Sequence, residues 1–85
     1  MSILLELPNV GKVLDELLNQ IGVHSYDELS AMGSKQAFLK IREKDAGACL
    51  HMLYGLEGAI EGIKDSLLSV EVKNDLKDFY HALLS

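Results

Sequence analysis

Leu7-Pro8-Asn9-Val10-Gly11-Lys12, running directly into Val13-Leu14-Asp15-Glu16-Leu17-Leu18-Asn19-Gln20-Ile21 and Gly22, has the pattern of a helix-hairpin-helix turn. Pro8 fixes φ and removes a donor, Asn9 tolerates a left-handed conformation, and Gly11 lets the backbone turn tightly into the next helix. Val13, Leu14, Leu17, Leu18 and Ile21 then form the stripe of one helix face, and Gly22 ends it. The first N–H groups of that helix point outward. Backed by the helix dipole and the Lys12 ammonium, the N–H groups of Gly11, Lys12 and Val13 are placed to hold a phosphate without reading sequence, so Asn9, Gly11 and Lys12 are candidate nucleic-acid-binding residues.

Downstream the helical signals continue. Ser25-Tyr26-Asp27-Glu28 is a capping box opening a short helix through Met32, and Gly33 stops it. Ser34 is placed to cap a third helix in which Ala37, Phe38 and Ile41 face inward while Lys35, Gln36, Lys40 and Lys44 stay in water. Asp45 is expected to cap a long central helix from Ala46 to Lys64, with Cys49, Leu53, Leu56, Ile60 and Ile63 on one stripe. Gly55, Gly58 and Gly62 follow one another along that helix, and each costs about 1 kcal/mol relative to Ala in a helix interior. A groove of small residues offsets such a cost by letting a neighbour approach closely, either from this chain, which is the expected case, or from a second copy. Ser69 or its neighbour caps a last helix, Val70 to Leu84, with Val72, Leu76, Phe79, Tyr80 and Leu83 inward. Alternating apolar and polar residues never persist. The reading is an all-α, single compact domain over residues 1–85, with about five helices, a helix-hairpin-helix-like N-terminal half and a long central helix.

With 85 residues and 48% hydrophobic side chains, the chain can bury roughly 60–70% of its unfolded surface in one core. Its single cysteine, Cys49, excludes an internal disulfide and a cysteine-rich metal module, and fits a cytoplasmic setting. No run approaches the roughly 20 apolar residues of a membrane span, and Ile3-Leu4-Leu5 is too short for a signal-peptide core. The net charge of −5 argues against coating nucleic acid by electrostatics alone. The charge is uneven, however. Residues 35–44 carry Lys35, Lys40, Arg42 and Lys44 against only Glu43, and this basic segment is either a solvated helix face or a set of phosphate contacts.

Nothing in the sequence marks an active site. Cys49 and His51, two apart on a helix, point to well-separated faces, so Cys49 is expected in the core and the histidines at the surface. The carboxylate pairs Asp15-Glu16, Asp27-Glu28, Glu57/Glu61 and Asp75/Asp78 suit exposed helix faces. Neither a phosphate-cradling Gly-x-x-x-x-Gly-Lys run nor a Gly-x-Gly-x-x-Gly after a strand occurs, so no enzyme, cofactor or metal is expected.

Leu7-Pro8-Asn9-Val10-Gly11-Lys12, Ile21-Gly22-Val23, Asp27-Glu28-Leu29, Gly33-Ser34-Lys35-Gln36-Ala37-Phe38 and the block from Gly47 to Ile60 form an ordered set. Over nearly the whole chain this set resembles the C-terminal domain of the TfoX/Sxy family of competence regulators. The resemblance implies a bacterial, all-α, non-enzymatic domain associated with regulating DNA-uptake genes, usually following a separate N-terminal domain. This chain starts at Met1 and runs straight into the motif, so a stand-alone version is expected. The hairpin differs from a typical helix-hairpin-helix in having Asn9 where glycine is usual, and only Ile3 to Glu6 precede it. The resulting expectation is a regulatory or adaptor domain docking on a protein partner, monomeric unless Gly55, Gly58 and Gly62 form a self-association groove. The rival is weak, non-sequence-specific DNA binding by the hairpin and the segment 35–44.

Overall fold

A computed structural model describes residues 3–84. A 3-10 turn, Ile3–Glu6, precedes five α-helices: α1 Lys12–Gln20, α2 Tyr26–Met32, α3 Ser34–Lys44, α4 Leu50–Glu61 and α5 Val70–Leu84. A second 3-10 turn, Asp65–Leu67, lies between α4 and α5, and no strand occurs among the described residues. Helix α4 is central, packing against α3, α5 and the Asp65–Leu67 turn, while α1 and α2 pack on α3. Phe38, Leu4, Leu18, Leu29, Ile41, Leu53, Leu56 and Val23 are fully enclosed, so every α-helix except α5 contributes to or flanks this innermost layer. Helix α5 closes it through Leu76 and an edge-to-face contact of Tyr80 on Phe38, with centroids 5.9 Å apart. The Cα radius of gyration, 11.8 Å, matches the roughly 12 Å expected of one folded unit this size.

The helix starts show where local chemistry sets the boundaries. At α2, the Glu28 N–H donates to Ser25 Oγ at 3.2 Å. The Glu28 carboxylate accepts from the His24 N–H at 2.9 Å, one residue ahead of the position a capping box usually serves. Ser25→Ala is expected to cost about 1 kcal/mol, read as a lower urea midpoint with an unchanged slope. At α5, Ser69 Oγ accepts from the Val72 N–H at 3.2 Å, the cap expected there.

Helix α3 starts differently from the sequence reading. Gly33, with φ 86° and ψ 157°, occupies the N-cap of α3 and the C-cap of α2 at once, a conformation essentially reserved to glycine. Ser34 is therefore the first helical residue, and its hydroxyl donates across to Glu57 Oε1 at 2.7 Å on α4. Lys35 likewise does not stay free in water. It pairs with Asp75 of α5 at 2.8 Å and sits 5.4 Å from the Phe79 ring centroid, bracing α3 against α5.

Helix α4 is shorter than the expected Ala46–Lys64. Asp45 Oδ1 accepts from the Gly47 N–H at 2.9 Å and its carbonyl from Ala48, so Asp45, the C-cap of α3, closes a local turn instead of starting α4. Cys49, in an extended conformation, becomes the N-cap and is exposed, where a core cysteine was expected. At the far end Gly62 is left-handed at φ 78° and terminates the helix, so it is not part of an interior glycine row. Two expectations for α1 also change. Val13 is 66% exposed, and Asp15 is buried, with Asn19 Nδ2 donating to its carbonyl at 2.7 Å.

Candidate docking groove

The hairpin is fastened down by one side chain. Asn9 adopts φ 68°, the only positive φ outside glycine among the described residues. Its Nδ2 donates to the Ile63 carbonyl at 2.9 Å and to the Gly55 carbonyl at 3.4 Å, while Oδ1 accepts from the Asp65 N–H at 3.1 Å. Gly58 of α4 makes this possible. A Cβ on Gly58 would lie 2.5 Å from Asn9 Nδ2, and one on Gly55 would touch Asn9 Cβ. The neighbour occupying the Gly55–Gly58 strip is therefore the chain's own hairpin loop, not a helix.

This latch lays the start of α1 beside the start of α4 and leaves an open groove of about 540 Å³ between them. Gly11, Lys12, Val13 and Leu14 form one wall, Cys49, His51, Met52 and Gly55 the other, with Asn9 and Asp65 at the floor and end. The lining is largely apolar. Neither α1, whose N-cap is Gly11, nor α4, whose N-cap is Cys49, has a side-chain cap, so both helix starts present the positive ends of their dipoles here. His51 Nε2 lies 3.3 Å from Asp65 Oδ2 and occupies that carboxylate. Lys12 has no carboxylate within ion-pair distance among the described residues.

The candidate residues read from sequence thus fall into separate places. Asn9, Gly11 and Lys12 meet in the groove, although the Asn9 amide is consumed inside the fold. Lys40 and Arg42 line a different open cleft, of about 710 Å³, at the end of α3 with Gln36, Leu39, Glu43 and Ala46, and the two depressions share no lining residue. Arg42 and Lys44 lie in the last turn of α3, where positive charge favours the carbonyl end of the dipole. Lys35 is engaged by α5, Gly55 and Gly58 lie under Asn9, and Gly62 caps α4. Sequence reading placed the Val13 N–H at the hairpin but its side chain on the inward stripe, and did not single out Cys49, His51, Met52 and Asp65 as neighbours of the hairpin.

Away from the groove, the Glu61 carboxyl is pushed above the usual carboxylate range by the hydrogen bond it shares with Glu57 one turn earlier, with slight burial and the Glu57 charge adding. No cluster of three His, Cys, Asp or Glu side chains suited to a metal ion occurs among the described residues. No described helix is long and apolar enough to cross a membrane.

Comparison with known proteins places relatives around this geometry. The model of the TfoX C-terminal domain family matches residues 1–80. Protein Sxy of Escherichia coli (strain K12) is 30% identical over 78 residues, covering 92% of this chain and 37% of Sxy. The chain therefore corresponds to little more than a third of that relative. Among solved structures, the triclinic form of an uncharacterised Listeria monocytogenes protein superposes with a TM-score of 0.94 at 45% identity, covering 96% of this chain and 93% of the other. A tetragonal-form structure of a Listeria monocytogenes protein of unknown function gives 0.92 at 46% identity, covering 94% and 98%.

Proposed function

Because the chain belongs to the family of TfoX C-terminal domains, which is related to competence regulation and is not a known enzyme class, we propose that it is a non-enzymatic regulatory domain that docks on a protein partner through the hairpin groove. One observation carries this reading. The hairpin stretch 7–12 and the block 47–60, which is the specific part of the family resemblance, meet along this single groove. The Asn9–Gly55–Gly58 latch accounts for three of those residues as structure. It leaves Gly11, Lys12, His51 and Met52 around an open, mostly apolar depression, the kind of surface that buries a partner's side chains.

A second reading, weak DNA binding, draws on one specific feature: Lys12 stands at an uncapped helix start with no ion-pair partner among the described residues. Against it stand the net charge of −5 and the separation of Lys40 and Arg42 from the groove. Fluorescence anisotropy of a labelled duplex at low and physiological salt decides between the two. The expected result is no binding at low salt, by parent or by Lys12→Glu. Binding with a slope of log K against log salt of about −2 to −3, lost in Lys12→Glu, would promote the DNA reading instead. The docking reading has its own positive test. A photo-crosslinker attached to Cys49, the only thiol, should join a cellular protein, and Val13→Glu should lower the yield severalfold. Equal crosslinking with and without Val13→Glu would remove the groove from the docking surface.

A further inference from the structure

Helix α3 presents two faces. Ala37, Phe38 and Ile41 are enclosed in the core, whereas Gln36, Leu39, Lys40 and Glu43, spaced by three and four residues, form an outer stripe. With Arg42 and Ala46 this stripe lines the open cleft of about 710 Å³. Independently of the hairpin groove, we infer that the cleft is a second contact surface and takes a short acidic segment of another protein that carries a large apolar side chain.

Lys40 and Arg42 are half-buried in this lining, and neither has a carboxylate within ion-pair distance among the described residues. Glu43 is exposed and pairs with neither. Two cations against one carboxylate leave an excess of positive charge, and that excess is fixed, because no lining side chain titrates near neutral pH. Lys44, the next residue, also has no ion-pair partner among the described residues and adds to it. The carbonyl end of α3 offsets roughly half a charge. A cation that has lost part of its hydration and found no partner in the fold gains more from a carboxylate than one wholly in water. Leu39 supplies the second criterion. It is half-buried on the outer stripe and lies outside the apolar core cluster, so an apolar side chain set against it leaves water, a contact that a phosphate backbone does not offer. Length supplies the third. Four of the eight basic side chains lie in residues 35–44, and Lys35 of these is held by Asp75, so a long polyanion would extend past Lys40, Arg42 and Lys44 onto an otherwise acidic domain. A short acidic segment stays within the cleft.

The probe is an acetylated, amidated hexapeptide, Ser-Glu-Leu-Glu-Leu-Ser, titrated into the isotopically labelled domain and followed by amide NMR shifts. Peptides with both glutamates changed to glutamine, or both leucines to serine, are the controls. The expected result is movement of the Leu39, Lys40, Arg42, Glu43 and Ala46 signals, with the glutamine peptide about tenfold weaker and the serine peptide about fivefold weaker. Arg42→Ala should weaken the glutamate peptide severalfold, and Glu43→Gln should strengthen it about twofold. Both variants are expected to fold, because neither side chain has an ion-pair partner among the described residues, and their amide spectra verify this. Equal affinity of the glutamate peptide and either control, or α3 signals that stay in place, would overturn the assignment. A short DNA duplex that moves the α3 signals at lower concentration than the peptide at physiological salt would overturn it in favour of nucleic acid. Docking at the hairpin groove is read separately, from the Cys49 crosslink.

Discussion

Replacing Asn9 with alanine should lower the stability of the domain by about 3 kcal/mol, more than any surface position should. The loss has two sources. The carbonyls of Ile63 and Gly55 and the N–H of Asp65 would each lose a partner in a half-buried setting, at about 1 kcal/mol apiece after allowing for partial rescue by water. Alanine would also have to hold φ near 68°, which costs roughly 1 kcal/mol more than asparagine or glycine in the left-handed region, and that is offset in part by local relaxation of the hairpin. For a domain of this size the drop corresponds to roughly 12–24 °C in melting temperature. Asn9→Gly separates the sources, because it keeps the backbone conformation and removes only the amide, so it should recover about 1 kcal/mol of the alanine loss. Asn9→Asp is isosteric, yet at neutral pH it turns a carboxylate toward two carbonyls and should be no better than alanine. Melting temperatures of all three within a few degrees of the parent would mean that the hairpin is held by Leu4, Val10 and Leu14 packing alone.

The same residue marks the limit of what the sequence made legible. Five helices and their order followed from apolar stripes at Leu14, Leu17, Leu18 and Ala37, Phe38, Ile41, and from the caps at Ser25 and Ser69, because these signals lie within one turn of the structure they produce. The ends of α4 were misplaced for a local reason too. Asp45 had two uses, capping a helix or closing a turn on Gly47, and residue type alone does not choose between them. Gly62 similarly reads as interior or terminal until its φ is known. The burial of Asp15 and the exposure of Cys49 depend on that helix phasing and on packing between segments distant in the chain. The latch is the least local feature, joining residue 9 to residues 55, 63 and 65. Its signals were nevertheless present. An asparagine stood where helix-hairpin-helix turns usually have glycine, and two unexplained glycines stood three apart in an apolar helix. Asn9 and Gly58 are each costly alone, and each accounts for the other once the hairpin lies on α4, whereas Gly55 meets Asn9 only in ordinary contact.

That mutual dependence predicts opposite outcomes for two alanine substitutions three residues apart in α4. Gly58→Ala should destabilise by about 2–3 kcal/mol. Its Cβ would stand 2.5 Å from Asn9 Nδ2 and 2.8 Å from the Ile63 carbonyl oxygen, distances that force a backbone segment or the Asn9 latch to move. The gain of about 1 kcal/mol in helix propensity offsets only part of that strain. Gly55→Ala should be neutral or stabilising by up to about 1 kcal/mol, because its Cβ would meet Asn9 Cβ at 3.5 Å, an ordinary contact. Urea midpoints measure both, and a cycle with Asn9→Gly tests the cause. Removing the amide should recover about 1 kcal/mol of the Gly58→Ala loss, while the remainder persists through the Ile63 carbonyl. Sedimentation equilibrium on the same proteins distinguishes the latch from a glycine groove between two copies. A groove of that kind would make both substitutions harmful and would lower the measured mass with stability, whereas the latch leaves the mass unchanged and confines the damage to Gly58.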